Sequence, residues 1–217
     1  MAVTKKVFHS REAWLKDRKN HIGGSDAASC IGMNPYKDNV TLWEEKMGLV
    51  DSEDISDKDY VQYGIQAEEH LRALFSADYP EYKVLYDENN MFRNSKYPWM
   101  HASLDGELID YRGRHGILEI KTTNLMQSTQ QMKWKDRIPD NYYCQVLHYL
   151  AVTEYDFAVL KAQLKSDWSG ELRIITKHYF IEREEVEEDI KELIEAERRF
   201  WECVKSGTRP YLILPRI

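Results

Sequence analysis

Cysteine is scarce in this chain of 217 residues: there are three, Cys30, Cys144 and Cys203, and no two form a C-x-x-C pair. That scatter argues against a cysteine-held zinc or iron–sulfur centre. No apolar run of about 18 residues occurs, which argues against a membrane-spanning helix. The opening MAVTKKVFHSREAW lacks the apolar stretch of a signal peptide, so a reducing cytoplasm is the expected compartment. Nor is there a repeat, a low-complexity tract or a Gly/Ser/Pro-rich linker, so residues 1–217 read as a single domain. A chain this long buries roughly 70% of its unfolded surface and needs no disulfide or metal in order to fold.

Positive charge is in deficit, with a formal net charge of −7. An acidic protein is an unpromising partner for nucleic acid, but the acids are concentrated. Residues 51–59 (DSEDISDKD) carry five acids and one base, and residues 182–192 (EREEVEEDIKE) seven acids and two bases. Residues 1–22 carry six bases and two acids, so a local basic face can exist on an acidic molecule.

The pattern predicts helices first. Ser10–Asp17 is one. The glycines of His21-Ile22-Gly23-Gly24-Ser25 break the chain, and Ser25 suits the N-cap of a short helix that Gly32–Tyr36 ends. Val40–Met47 follows, then a loop near 51–59 leads to a stronger helix over Tyr63–Phe75, where Ala67, Leu71, Leu74 and Phe75 keep a 3.6 spacing. Strands are expected at Lys83–Phe92, Ala102–Tyr111 and Gly116–Thr122, the last two joined by the hairpin turn Arg112–Gly116. Asn141–Val152 reads as helix. Phe157–Leu164 and Leu172–Phe180 read as strands joined through Asp167-Trp168-Ser169-Gly170. A long helix over Arg183–Lys205 carries the apolar stripe Val186, Ile190, Leu193, Ile194, Phe200, Trp201 and Val204, with a short tail after Pro210. The order implies an α/β layer fold with a mixed sheet.

Chemistry concentrates on two neighbouring strands. Asp105 and Glu119 lie 14 residues apart across a hairpin, where they can converge at one edge of a sheet. Side chains two apart share a face, so Glu119 and Lys121 project together while Ile120 points into the core. Two carboxylates and a lysine on one small surface make a site for a hard divalent cation and an anion. A metal-bound water is more acidic and attacks near neutral pH, and the lysine can orient it or offset charge on a phosphate. Taken singly, each residue has a blander reading: strand charges that face solvent, Glu68 as a solvated helix residue, Gln145 as a surface or interhelical group, His148 as an ordinary satisfied histidine. Lys133-Trp134-Lys135-Asp136-Arg137 reads either as a backbone-tracking contact to nucleic acid or as a solvated loop with one packed tryptophan.

Asp105 followed by Glu119-x-Lys121 resembles the D…ExK pattern of the restriction-endonuclease-like nucleases. Five longer blocks, IGGSDAASCIGMNPYKDNVTLWEEKMGL (22–49), YGIQAEEHLRALF (63–75), HASLDGEL (101–108), GILEIKT (116–122) and IPDNYYCQVLHYLAVT (138–153), resemble in order those of the YqaJ-type viral recombinase nucleases, relatives of the lambda-type phage exonuclease. The likeness runs from about residue 10 to residue 210. It implies a restriction-endonuclease-like core, with a mixed central sheet flanked by helices and a long C-terminal helix.

The resemblance further implies a Mg²⁺-dependent enzyme, Mn²⁺ substituting, that digests duplex DNA from the 5′ end. It would leave a 3′ single strand for an annealing protein and assemble as a ring-shaped trimer. By the same likeness Asp105, Glu119 and the Ile120 carbonyl would hold metal, Lys121 would position the water, Glu68 would support the metal or its waters, and Gln145 would complete the site. Arg18 and Ser25 would hold the 5′ phosphate, and a helix start there suits an anion. Ser103, two before Asp105 on the same strand face, reaches towards the same phosphate. Leu104 stands where relatives often carry proline, a tolerable change for a side chain that points away from the site. The alternatives are an endonuclease, nickase or single-strand nuclease of the same superfamily, and a non-catalytic DNA-binding module. Against the last, binding alone has no use for clustered carboxylates that repel phosphate.

Overall fold

A computed structural model describes residues 2–167 and 170–214. In chain order the elements are β1 (Val3–Val7), α1 (Arg11–Arg18), α2 (Gly24–Cys30), α3 (Asn39–Lys46), α4 (Asp59–Asp78), β2 (Lys83–Leu85), β3 (Asn90–Asn94), β4 (Gly106–Ile109), β5 (His115–Leu125), α5 (Ser128–Lys133), α6 (Asp140–Thr153), β6 (Phe157–Ser166), β7 (Arg173–Glu182), a 3₁₀ turn (Arg183–Glu185) and α7 (Glu187–Ser206). Trp168 and Ser169, in the expected link between the last two strands, lie outside the described residues.

Five strands form the main sheet in the order β2-β4-β5-β6-β7. Only β5 and β6 run parallel, and the other pairs are antiparallel. Parallel neighbours need a long crossover, here the segment that carries α5 and α6. Alternation along β5 separates two cores. Ile117 belongs to the cluster of Val146, Leu147 and Leu150 from α6. Leu118 and Ile120 belong to the cluster of Leu71 and Phe75 from α4. The sheet is thus sandwiched, with α6 on one face and α4 on the other. α6 is buried from Cys144 to Thr153, as expected of a helix apolar nearly all round. Behind it α7 buries Ile190, Leu193 and Phe200, three members of the predicted stripe, together with Glu197. Left-handed Gly207, at φ 68°, ends α7.

Several expectations need correction. The single strand expected at 83–92 is two, β2 and β3, separated by a turn in which Asn89 takes φ 55°. β3 leaves the main sheet to pair with β1, whose VTKKV gives no alternation to read. The strand expected from Ala102 begins at Gly106, so Ser103 and Asp105 lie on the approach to β4 rather than within it. Gly23, not Ser25, is the N-cap of α2. The Gly23 N–H donates to the Asp26 carboxylate at 3.1 Å, and Ser25 falls in the first turn. The C-terminal helix is interrupted between the 3₁₀ turn and α7. Ser10 caps α1, its Oγ accepting from the Ala13 N–H at 3.2 Å, where the sequence placed that helix start.

Candidate active site

The site begins where β4 stops. Gly106 is the last partner of β5 on that side, opposite Leu118, while β5 continues to Leu125 along β6. At Glu119–Lys121 that edge of β5 therefore has no strand partner among the described residues. The Ile120 N–H turns into that notch and donates to Asp105 Oδ2 at 2.8 Å. N–H and C=O of one strand residue leave on the same side, so the Ile120 carbonyl faces the notch as well.

Glu119 and Lys121 point from β5 towards α6, as their spacing predicts. Glu119 is 1% exposed. Its Oε1 accepts from Lys121 Nζ at 2.5 Å and from Gln145 Nε2 at 2.8 Å, and Gln145 also donates to the Tyr149 hydroxyl at 2.9 Å. Glu119 Oε2 is buried with no hydrogen-bond partner among the described residues. From the other face of the sheet, α4 brings Glu68, clasped by Arg72 at 2.6 Å. Asp105, Glu119, Lys121, Glu68 and Gln145 share one cavity of about 710 Å³, and Arg18, Ser25 and Ser103 line it too. Ile120 does not line the cavity; its side chain packs in the core beneath α4, and its N–H meets Asp105 at the notch. Gln145 is buried rather than superficial, which replaces the bland reading of it.

The electrostatics are those of too many carboxylates in too little water. Burial, then the neighbouring Asp105 charge, pushes Glu119 up to about 8. The same two causes push Glu68 up to about 7. Asp105 is raised by burial against the pull of Lys121 and the Ile120 N–H. Burial would lower Lys121, but the charges of Glu119 and Asp105 outweigh it and hold the ammonium well above its usual range. Such a pocket favours an added cation.

The donor set fits a hard cation of limited protein ligation. Among the described residues no group of three or more His, Cys, Asp or Glu side chains forms a ready metal cage. What is offered is Asp105, Glu119 with its unpartnered Oε2, and the Ile120 carbonyl, with Glu68 close by. Mg²⁺ commonly takes one or two carboxylates and keeps several waters, and a buried orphan oxygen is what such an ion would satisfy.

The same cavity is also lined by the cations Arg11 and Arg18. Arg18 makes no ion pair among the described residues, and its guanidinium lies 4.3 Å from the centre of the Trp14 ring. Trp14 Nε1 is shared between the Asn90 carbonyl at 3.0 Å and Ser103 Oγ at 3.1 Å. Ser25 is exposed and lines the cavity as well. Trp14, Arg72 and Tyr86 were not singled out from sequence, though Trp14 lies four residues before Arg18 and Arg72 four after Glu68, the spacing of helical neighbours. Trp134 is packed in the main core, and its carbonyl accepts from Lys177 Nζ and the Tyr179 hydroxyl. Trp134 is thus a packed tryptophan, while Lys133, Lys135 and Arg137 around it are exposed. His148 is satisfied, between Glu197 and the His101 carbonyl at 2.8 Å each.

A sandwiched mixed sheet, with a D…ExK constellation at a notch in its edge, defines the restriction-endonuclease-like fold. Its solved neighbours include an alkaline exonuclease (LHK-Exo) from Laribacter hongkongensis, with a TM-score of 0.62 at 16% identity over 91% of this chain and 96% of that one. That protein has also been solved in complex with dAMP, again at 0.62 and with the same coverage of both chains, at 15% identity. A phage related exonuclease from Haemophilus somnus 129PT matches with a TM-score of 0.51 at 15% identity over 86% of this chain and 96% of that one. The model of the YqaJ-like viral recombinase domain matches residues 13–156, and the chain belongs to that family. The uncharacterized protein YqaJ of Bacillus subtilis (strain 168) is 33% identical over 211 residues, 94% of this chain. This chain spans 59% of the length of that relative.

Proposed function

We propose that this chain is a divalent-cation-dependent exonuclease that hydrolyses duplex DNA from the 5′ end, leaving a 3′ single-stranded tail for phage-type recombination by strand annealing. The observation that supports the reading is one cavity lined both by Asp105, Glu119, Glu68 and Lys121 and by Arg18, which stacks on Trp14 and makes no ion pair among the described residues. A carboxylate cluster alone would repel DNA, and a basic wall alone would only bind it.

Asp105, Glu119 and the Ile120 carbonyl would hold Mg²⁺, or Mn²⁺ in its place. The ion's contribution is a more acidic water and a countercharge for the leaving oxygen. Gln145 fixes the Glu119 carboxylate through Oε1 and leaves Oε2 free to face the ion. Lys121 carries a full positive charge beside Glu119, where it orients the attacking water and offsets charge on the phosphate. Arg18, with Ser25 and Ser103 nearby, receives the terminal 5′ phosphate as a charge-assisted contact. The resemblance to the lambda-type exonucleases further suggests a trimeric ring and a single-strand annealing partner, which light scattering and co-purification would test.

End-labelled linear duplex incubated with Mg²⁺ is the direct test. Label at the 5′ end should be released first as mononucleotide, and Glu119→Ala and Lys121→Ala should each slow release by about 100-fold or more. Parental rates in either variant would refute the site, and early release of 3′ label would refute the polarity. Digestion of closed circles would favour an endonuclease.

A further inference from the structure

Arg72 ties three separate segments of the chain together at the rim of this cavity. Its Nη2 donates to Glu68 Oε1 at 2.6 Å, one helical turn back on α4. Its Nε donates to the main-chain carbonyl of Asp105 at 2.5 Å, across the end of β4. Its planar face lies 3.5 Å from the centre of the Tyr86 ring, in the turn that follows β2. The side chain is 12% exposed, so the guanidinium spends its charge on these partners rather than on solvent.

The arrangement has a chemical logic. Glu68 and Asp105 repel each other, and among the described residues the Glu68 carboxylate has one ion-pair partner, Arg72. One guanidinium holds both: the Glu68 carboxylate by a charged bond and the Asp105 segment by its backbone. It grips Asp105 by the main-chain oxygen, so the Asp105 carboxylate stays in the notch, where Oδ2 accepts from the Ile120 N–H. Lysine cannot do this, because a single ammonium lacks the planar fork that reaches two acceptors while stacking on a ring.

Resting on the metal-dependent reading above, we propose that Arg72 is a positioning residue that sets the spacing of Glu68 and Asp105 for the divalent cation, with Tyr86 holding its plane. It touches neither substrate nor ion.

The test is Mn²⁺ binding to metal-free protein, by calorimetry and without DNA, alongside steady-state digestion. Arg72→Ala and Arg72→Lys should each weaken Mn²⁺ binding by about 10–100-fold, the usual penalty for losing a group that orients a ligand. Tyr86→Leu should give a smaller loss and Tyr86→Phe none. In digestion kcat should fall with KM for DNA little changed, and added guanidinium ion should restore part of the rate of Arg72→Ala but not of Glu119→Ala. Parental Mn²⁺ affinity in both Arg72 variants, with Glu119→Ala silent, would overturn the role of Arg72 and leave the metal site standing. A parent protein that takes up no Mn²⁺ would overturn both. Should Arg72→Ala fail to fold, Arg72→Lys and Tyr86→Leu carry the same comparison.

Discussion

Glu197 is the sharpest place to perturb the scaffold without touching the candidate site. It lies in the middle of α7, a surface helix with an acidic start, yet it and His148 are completely buried. His148 Nε2 faces the His101 carbonyl, which can only accept, so that nitrogen carries a hydrogen. One further proton is shared between His148 Nδ1 and Glu197 Oε1, and the pair is neutral overall wherever that proton sits. Glu197→Ala strands His148 Nδ1 in the core, which costs about 1–3 kcal/mol. It also empties space for at least one methylene, about 0.8 kcal/mol more. The sum, roughly 2–4 kcal/mol, corresponds to a Tm lower by roughly 4–16 °C for a domain of this size. Glu197→Gln keeps the bond, because an amide N–H can donate to neutral Nδ1, and should stay within about 1 kcal/mol of the parent. Calorimetric melts of the three proteins decide it. An alanine variant that melts with the parent, or a glutamine variant that melts with the alanine one, would refute the neutral-pair reasoning. Because His148 follows Gln145 by one turn of α6, the alanine variant should also lose nuclease activity at temperatures where it remains folded.

Three further outcomes follow from other parts of the structure. A Cβ on Gly24 would lie 2.4 Å from the Tyr149 ring and 2.9 Å from Gln145. Gly24→Ala should therefore break the Gln145–Tyr149 bond and slow digestion by about tenfold or more while the far-ultraviolet dichroism stays parental. Arg18→Ala should abolish any preference for 5′-phosphorylated over 5′-hydroxyl ends, read as the ratio of initial rates on the two duplexes; an unchanged ratio removes Arg18 from phosphate binding. Asp110 is held below its usual value despite burial, through Arg114 and the N–H groups of Arg112 and Arg114. A depressed carboxylate stabilises the fold above its unfolded value of 3.8 and loses that contribution as pH falls through the lower folded value. The stability gap between parent and Asp110→Asn, measured by urea titration, should be constant above about pH 5 and shrink only as the pH drops below about 4.

Much of the site was legible because it sits on regular elements. The period-2 pattern of β5 placed Glu119 and Lys121 on one face and Ile120 on the other, while Glu68 and Gln145, on helices legible in the sequence, were drawn to the site only by the family resemblance. What escaped was set by partners far away in sequence. Ser25 looked like a cap because Gly23 has no side chain to advertise the role, which backbone and Asp26 fill instead. β1 is charged and mostly exposed, and exists only because β3 supplies the other half of its ladder. Arg72 and Glu197 are ordinary helical charges by composition. Only the placement of the Asp105 carbonyl beside one and the His148 ring beside the other gives them distinct work.

The ladder between β5 and β6 joins strands whose first paired residues, Gly116 and Phe157, are 41 positions apart, with α5 and α6 in between. Gln145 therefore reaches Glu119 only once that excursion has closed, while Arg18, Glu68 and Asp105 arrive from three earlier stretches. Contacts of such long span form late in folding. A chain emerging from the ribosome, or one partly unravelled, cannot gather these side chains, so on the proposed reading cleavage waits until the molecule is whole.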